Sequence, residues 1–207
     1  MTCLRVWVLM AAAAATTGDP LAGVRRLAGE KRIECSGALE TVMLLAQLTS
    51  AGPAPTGFQA QARARFALRA NHPAVRETAA LIDRGFGHRE LARFSMLMSP
   101  APYFALVDSE ELKQLAELLP GANIEFNVDR LHGYARLVRE FYWDNHVGRF
   151  LRASLPYYQQ AVRRAPAADV PAGAKVLLSP LAPLPESGRI EFTRRTPRAV
   201  SYVVVGG

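Results

Sequence analysis

The chain has 207 residues, half of them hydrophobic, and a formal net charge of +7 at pH 7. This length suits one domain with a substantial core. The only cysteines, Cys3 and Cys35, exclude a disulfide-rich scaffold and a cysteine-rich zinc site. The basic residues are mostly arginines spread along the sequence without interleaved aromatics. This argues against specific nucleic-acid recognition and leaves non-specific attraction to an anionic polymer as the weakest of the functional hypotheses.

Residues 1–18 have the pattern of a secretory signal peptide. Arg5 precedes ten apolar residues, VWVLMAAAAA, which end in small side chains. Ten residues are too few to span a bilayer, which needs about 20. We therefore expect an exported, periplasmic or secreted protein without a transmembrane segment, whose mature chain begins near residues 16–19. The alternative is the buried start of a helix.

Residues 24–165 are predicted to form a helical domain. Apolar periodicity, capping residues and Gly/Pro stops predict helices over 37–48, 58–71, 73–85, 88–98 and 108–119. Two long helical stretches follow between 127 and 164, with a break near 145–148 or at Pro156. Before the first helix, the charged piece GVRRLAGEKRIECSG reads as extended chain.

Residues 174–207 change in character after a Pro- and Ala-rich linker. AKVLLSP, RIEFTRR and AVSYVVVGG read as three strands. The predicted fold class is therefore α+β, with a mainly α-helical body followed by a small, incomplete C-terminal β-sheet in the same globular unit. The last strand is apolar on both faces. If its cover is missing, it is predicted to self-associate through the residues Val200, Tyr202, Val203, Val204 and Val205.

No pattern identifies a catalytic residue or a cofactor site. The His-Glu-x-x-His zinc motif, the Gly-x-Ser-x-Gly elbow and the phosphate-binding glycine loop are all absent from the sequence. The remaining metal-ligand candidates are weak: His72, Asp129 and His132. His72 precedes Pro73 at a helix entrance and is expected to cap or pack rather than to bind a metal.

Asp129 and His132 are three residues apart on a predicted helix, which could bring a carboxylate and an imidazole to one metal ion. However, Asp129 shares its helix face with charged residues, and Arg136 and Glu140 have the spacing of an ion pair. This pattern favours an exposed, ion-paired stripe over a metal site.

The order of several segments resembles a family of exported bacterial proteins, a domain-of-unknown-function family regarded as metallopeptidase-like. The resemblance runs from Arg32 to Gly207, and its most recognisable pieces are RIE, HPAV and VLLSPL. In that family, the strand matching SYVVVGG is followed by a helix with the His-Glu-x-x-His zinc motif. The resemblance therefore implies a zinc cofactor for the family, but its zinc ligands and catalytic glutamate have no counterpart here.

Two functional hypotheses follow. In the first, the chain is a truncated or non-catalytic relative of exported metallopeptidase-like proteins, inactive by itself. In the second, it is a periplasmic α-helical binding or interaction module without enzymatic activity, which uses the groove between its helices and the terminal sheet. The sequence identifies no substrate and no partner for either.

Overall fold

The structure of the chain is a computed structural model. It describes residues 18–28, 31–49, 55, 57–106, 110–121, 123–165, 174–184, 188–194 and 200–206. The predicted signal peptide lies outside the described residues except for Gly18. The predicted helix cap Asp108 also lies outside them.

Eight α-helices lie in the described part of the chain: α1 Gly37–Leu48, α2 Gly57–Phe66, α3 Pro73–Asp83, α4 His88–Ser95, α5 Glu110–Ala116, α6 Ile124–Asp144, α7 Val147–Ala153 and α8 Leu155–Arg164. A 3-10 turn, Ala67–Arg69, follows α2 directly. Among these helices, none combines the length and the apolar character needed to cross a membrane.

Local chemistry explains several of the helix ends. The Ser36 hydroxyl accepts a hydrogen bond from the Leu39 N–H at the start of α1, and the Asn123 side chain accepts one from Phe126 at the start of α6. Gly85 follows α3 with a φ of +89°, a conformation that glycine adopts without strain. The long C-terminal helical stretch breaks at both predicted places, at the left-handed His146 and at Ser154 before Pro156.

Helix α1 forms the centre of the helical body. All of its twelve residues are buried, and it packs against α2, α3 and α4. A second internal link joins α3 to α6, where the hydroxyls of Thr78 and Tyr134 lie 2.9 Å apart. The helical body therefore has one continuous core, which also includes the sheet residues.

The strands β1 Arg25–Ala28, β2 Lys31–Glu34, β3 Lys175–Leu178, β4 Arg189–Arg194 and β5 Val200–Val205 form one mixed sheet. Their order is β1-β2-β3-β5-β4. The β2–β3 and β3–β5 pairs are parallel, whereas β1–β2 and β4–β5 are antiparallel. The α+β fold class is therefore confirmed.

The sheet is not confined to the C-terminal segment, because β1 and β2 come from the N-terminal side of the helical body. The prediction that the sheet lies only in the C-terminal segment therefore needs correction. Local sequence patterns predicted extended chain for this piece, but not its pairing with a strand more than 140 residues later. That pairing depends on the packing of the whole helical body.

Strand β5 lies inside the sheet and has neighbours on both sides. Val203 and Val204 are 1% and 0% exposed, and Tyr202 and Val205 are also buried. The condition of that prediction, a missing cover, is not met, because these side chains are buried and β3 and β4 hydrogen-bond to the two edges of the strand. Self-association of the chain stays a prediction, and β5 offers no open edge to support it.

Candidate ligand-binding cleft

A cleft of about 850 Å³ lies between two helices and the β4–β5 end of the sheet. Arg89 and Arg93 of α4 form one wall. Glu110 and Gln114 of α5, together with Glu117 just after it, form another. The residues that line it on the sheet are Glu191, Phe192, Thr193, Ser201, Tyr202 and Val203. The cleft is thus built by elements that are far apart in sequence.

The strand register determines the character of the cleft floor. Thr193 pairs with Ser201, and their hydroxyl oxygens lie 3.4 Å apart. Glu191 pairs with Val203 and, two residues from Thr193, belongs to the same face of the sheet. The rings of Phe192 and Tyr202 alternate to the opposite face, where they stack with centroids 5.3 Å apart. The sheet side of the cleft thus offers two hydroxyl groups and a carboxylate beside the apolar Phe192, Tyr202 and Val203.

Charges of both signs converge in this cleft. Arg89 and Arg93 contribute positive charge, and the three glutamates at positions 110, 117 and 191 contribute negative charge. The Glu191 carboxylate is engaged by the Arg189 guanidinium at 2.7 Å. In contrast, the buried Nε of Arg93 has no hydrogen-bond partner among the described residues. A buried N–H without an acceptor costs free energy.

The described lining residues supply hydroxyl, carboxylate and guanidinium groups. The Thr193 and Ser201 hydroxyls lie close enough to contact each other. What the cleft can do is donate and accept hydrogen bonds and form ion pairs with a polar molecule.

The candidate His72 is engaged in the fold as the cap of α3. Its Nδ1 accepts a 3.1 Å hydrogen bond from the Ala74 N–H, and its ring packs edge-to-face on Phe141 at a centroid distance of 5.2 Å. Burial among these neighbours is the main cause that lowers the pKa of His72. The nitrogen used for capping is not free to coordinate a metal ion in this arrangement.

The candidates Asp129 and His132 lie exposed on α6. In the described part of the chain, no group of three or more His, Cys, Asp or Glu residues could hold a metal ion. His132 lines a small cavity together with Arg136 and Arg139, where positive charge disfavours a cation. The predicted exposure of the stripe is confirmed for Arg136 and Glu140, which are both exposed. The predicted ion pair between them is wrong, because they form no ion pair within 4 Å among the described residues.

A groove of about 620 Å³ separates α3 from α6 on another side of the molecule. Its charged wall contains the Arg130–Glu77 ion pair, with Nε and Oε1 2.6 Å apart. Its apolar wall contains Leu137 and Phe126, and the Phe126 ring is 60% exposed. The ion pair engages Arg130 and Glu77 with each other within the protein.

A buried carboxyl group lies beneath the sheet end of the helical body. Glu40 of α1 is fully buried, and no cation is paired with it among the described residues. Desolvation raises its pKa to about 7, while Ser179, Tyr158 and the Leu181 backbone partly favour the charged form. The nearby Cys35 thiol is buried, and desolvation followed by repulsion from Glu40 raises its pKa. Glu40 lines none of the three cavities described above, which indicates a structural role.

Comparisons with protein-family models, curated proteins and solved structures found no match for this chain. The functional interpretation therefore rests on the geometry of its own residues.

Sequence reasoning did not identify the individual cleft residues. The alternation in RIEFTRR indicates that Glu191 and Thr193 share a face, but it does not show which helices lie over that face. Arg89 and Arg93 are four residues apart and therefore on one side of α4, a signal that the sequence contains. The sequence contains no local pattern that indicates that β4 lies next to α4.

Proposed function

We propose that the protein is a non-catalytic binding module whose ligand occupies the cleft between α4, α5 and the β4–β5 sheet face. The observation that carries this proposal is the convergence of both signs of charge and two hydroxyls in one cavity of ligand size. Ligand cavities typically enclose about 300–1,000 Å³ and are mostly apolar. This cavity is polar, so a polar ligand suits it.

The ligand class that fits this charge pattern best is a short peptide with free ends. The guanidinium groups of Arg89 and Arg93 suit the terminal carboxylate, because their forked N–H donors match its two oxygens. Glu110 and Glu117 lie on the other wall and suit the terminal ammonium group. Hydroxyls on the floor, from Thr193 and Ser201, can hydrogen-bond to the peptide backbone.

We also propose that the protein is exported and related to metallopeptidase-like proteins without sharing their activity. The apolar segment after Arg5 supports export, and the segment resemblance from Arg32 to Gly207 supports the relation. Intact-mass measurement of the protein from its native host tests export. A full-length cytoplasmic species that retains residues 1–18 would contradict it.

The binding proposal is tested with a pool of unmodified tripeptides in isothermal titration calorimetry. A second pool has acetylated and amidated ends, which removes both terminal charges and preserves the side chains. We expect the unmodified pool to bind and the blocked pool to bind at least about tenfold more weakly, because charged hydrogen bonds contribute about 1.5–3 kcal/mol.

The matched variants are Arg93→Gln and Arg149→Gln. Both remove one positive charge, but Arg149 is exposed on α7 and lines none of the three cavities. Arg93→Gln should weaken binding about tenfold, and Arg149→Gln should leave it within about twofold. The proposal fails if neither pool binds, or if the blocked pool binds as well as the unmodified one.

A further inference from the structure

We infer that a second site, on α6 opposite the Phe104–Leu106 segment, binds a small phosphate-type oxyanion. This site is a cavity of about 360 Å³, separate from the peptide cleft and independent of the function proposed for it. Its lining residues are Phe104, Ala105, Leu106, His132, Ala135, Arg136 and Arg139. The inference comes from the charges that meet there.

Among the described residues, the ionisable side chains that line this cavity are His132, Arg136 and Arg139, and none of them is acidic. Their positions, separated by four and three residues, bring them to one side of α6. Among the described residues, none of these three side chains forms an ion pair within 4 Å. The positive charge of the two guanidinium groups is therefore not engaged in an ion pair among the described residues.

The acidic neighbours on α6 do not change this conclusion. Asp129 precedes His132 by one helical turn, and Glu140 follows Arg136 by one turn and lines the α3–α6 groove with it, but neither carboxylate lines the cavity. The remaining wall is apolar and comes from Phe104, which is buried with a left-handed φ of 52°, and from its neighbours Ala105 and Leu106. The cavity thus presents donors on one side and apolar surface on the other.

The chemistry of the donors favours a tetrahedral oxyanion. Each guanidinium group offers a planar fork of N–H donors that matches two phosphate oxygens. Two such forks, one turn apart on α6, can share the oxygens of one phosphate group, and His132 adds a further nitrogen. A cavity of this size holds a phosphate group with a small attached body, whereas a long polymer would contact only its opening.

The test is an NMR titration of the ¹⁵N-labelled full chain with inorganic phosphate at constant ionic strength. We expect saturable shifts of the amide signals of residues 104–106 and 132–139. Acetate, a planar carboxylate, serves as the comparison ligand and should bind about tenfold more weakly. Absence of saturable shifts with phosphate would overturn the inference, and equally tight binding of acetate would overturn the phosphate assignment.

Two double variants that lose the same charge distinguish a specific phosphate site from general electrostatic attraction to the protein. Arg136→Gln/Arg139→Gln should weaken phosphate binding at least about tenfold. Arg149→Gln/Arg164→Gln removes two exposed arginines that line none of the cavities and should stay within about twofold of the unmodified protein. An equal loss in both variants would contradict the inference.

A charge-preserving variant, Arg136→Lys/Arg139→Lys, covers the case in which the glutamine variant does not fold. It retains both positive charges and removes both forks, so phosphate binding should still weaken. Unchanged affinity in this variant would show that phosphate is attracted by charge alone and would overturn the proposed two-fork geometry.

Discussion

The Tyr158 hydroxyl donates a 2.6 Å hydrogen bond to Oε2 of Glu40 and so joins α8 to α1 inside the core. The other carboxyl oxygen, Oε1, has no hydrogen-bond partner among the described residues. Burial of this group favours its neutral form, which explains why its pKa is raised despite the Tyr158 bond. The same burial, together with the nearby Glu40 charge, raises the pKa of Tyr158.

The raised Glu40 pKa predicts that stability falls as pH rises. The folded protein holds this proton up to a pKa of about 7, whereas an unfolded glutamate releases it near its ordinary pKa of 4.5. Between these values the folded state holds more protons, so the free energy of unfolding decreases with pH and levels off above about 7. A shift of this size corresponds to roughly 3 kcal/mol.

The variant Glu40→Gln isolates this contribution from that of other titrating groups, such as Asp19, whose pKa is also raised by burial. Glutamine keeps an acceptor for the Tyr158 hydroxyl and carries no charge. Urea unfolding at pH 5 and pH 8 should show a smaller loss of stability in the variant than in the unmodified chain. Equal losses in both proteins would show that Glu40 does not titrate in this range.

Gly148 of α7 lies against the Tyr142 side chain, and a Cβ at this position would overlap the Tyr142 hydroxyl. Tyr142 is buried and packs edge-to-face on Phe104 and Trp143, so it has little freedom to move. Gly148→Ala should therefore destabilise the protein by about 1–3 kcal/mol.

The matched control is Gly133→Ala in the interior of α6, where an added Cβ meets nothing within 4 Å. This substitution should stabilise the protein by up to about 1 kcal/mol, because alanine favours the helix over glycine. Chemical denaturation measures both effects. A neutral or stabilising Gly148→Ala would show that Tyr142 moves aside without cost.

The position of β5 inside the sheet predicts that charge cannot be introduced into it. Val203 and Val205 lie on the same face and are both buried. Val203→Lys/Val205→Lys would remove two buried apolar side chains and place two ammonium groups in the core, at a total cost comparable to the stability of a typical domain, about 5–15 kcal/mol. We expect an unfolded or aggregated chain by circular dichroism and light scattering.

Ser201→Lys serves as the control for this variant, since Ser201 lies on the same face but is exposed. It should remain folded. A folded, monomeric Val203→Lys/Val205→Lys variant would contradict the internal, buried position of β5.

The parts of the fold that depend on nearby residues could be predicted from the sequence. Ser36, Pro73 and the Pro156 region mark helix ends, and the predicted bounds of α1 agree with the structure. The helix predicted over 88–98 is shorter in the structure and ends at Ser95, because Met98 pairs with Leu106 as an isolated bridge. The Met98–Leu106 bridge joins residues across a loop, and such a contact produces no periodic pattern in the sequence.

The cleft could not be predicted residue by residue, because it depends on contacts between distant segments. Arg93 and Thr193 are 100 positions apart, and they meet because α4 packs beside β4. Sequence patterns predicted the polar face of α4 and that of β4 separately. The place where those faces meet follows only from the sheet order and from the packing of the helical body.

The central claim, that a peptide with free ends binds in the α4–α5–sheet cleft, is tested most directly by NMR mapping. The ¹⁵N-labelled chain is titrated with the unmodified tripeptide pool. We predict the largest amide shifts at residues 89–93, 191–193 and 201–203. Shifts confined to the α3–α6 groove around Phe126 and Arg130, or no saturable shifts at all, would contradict it.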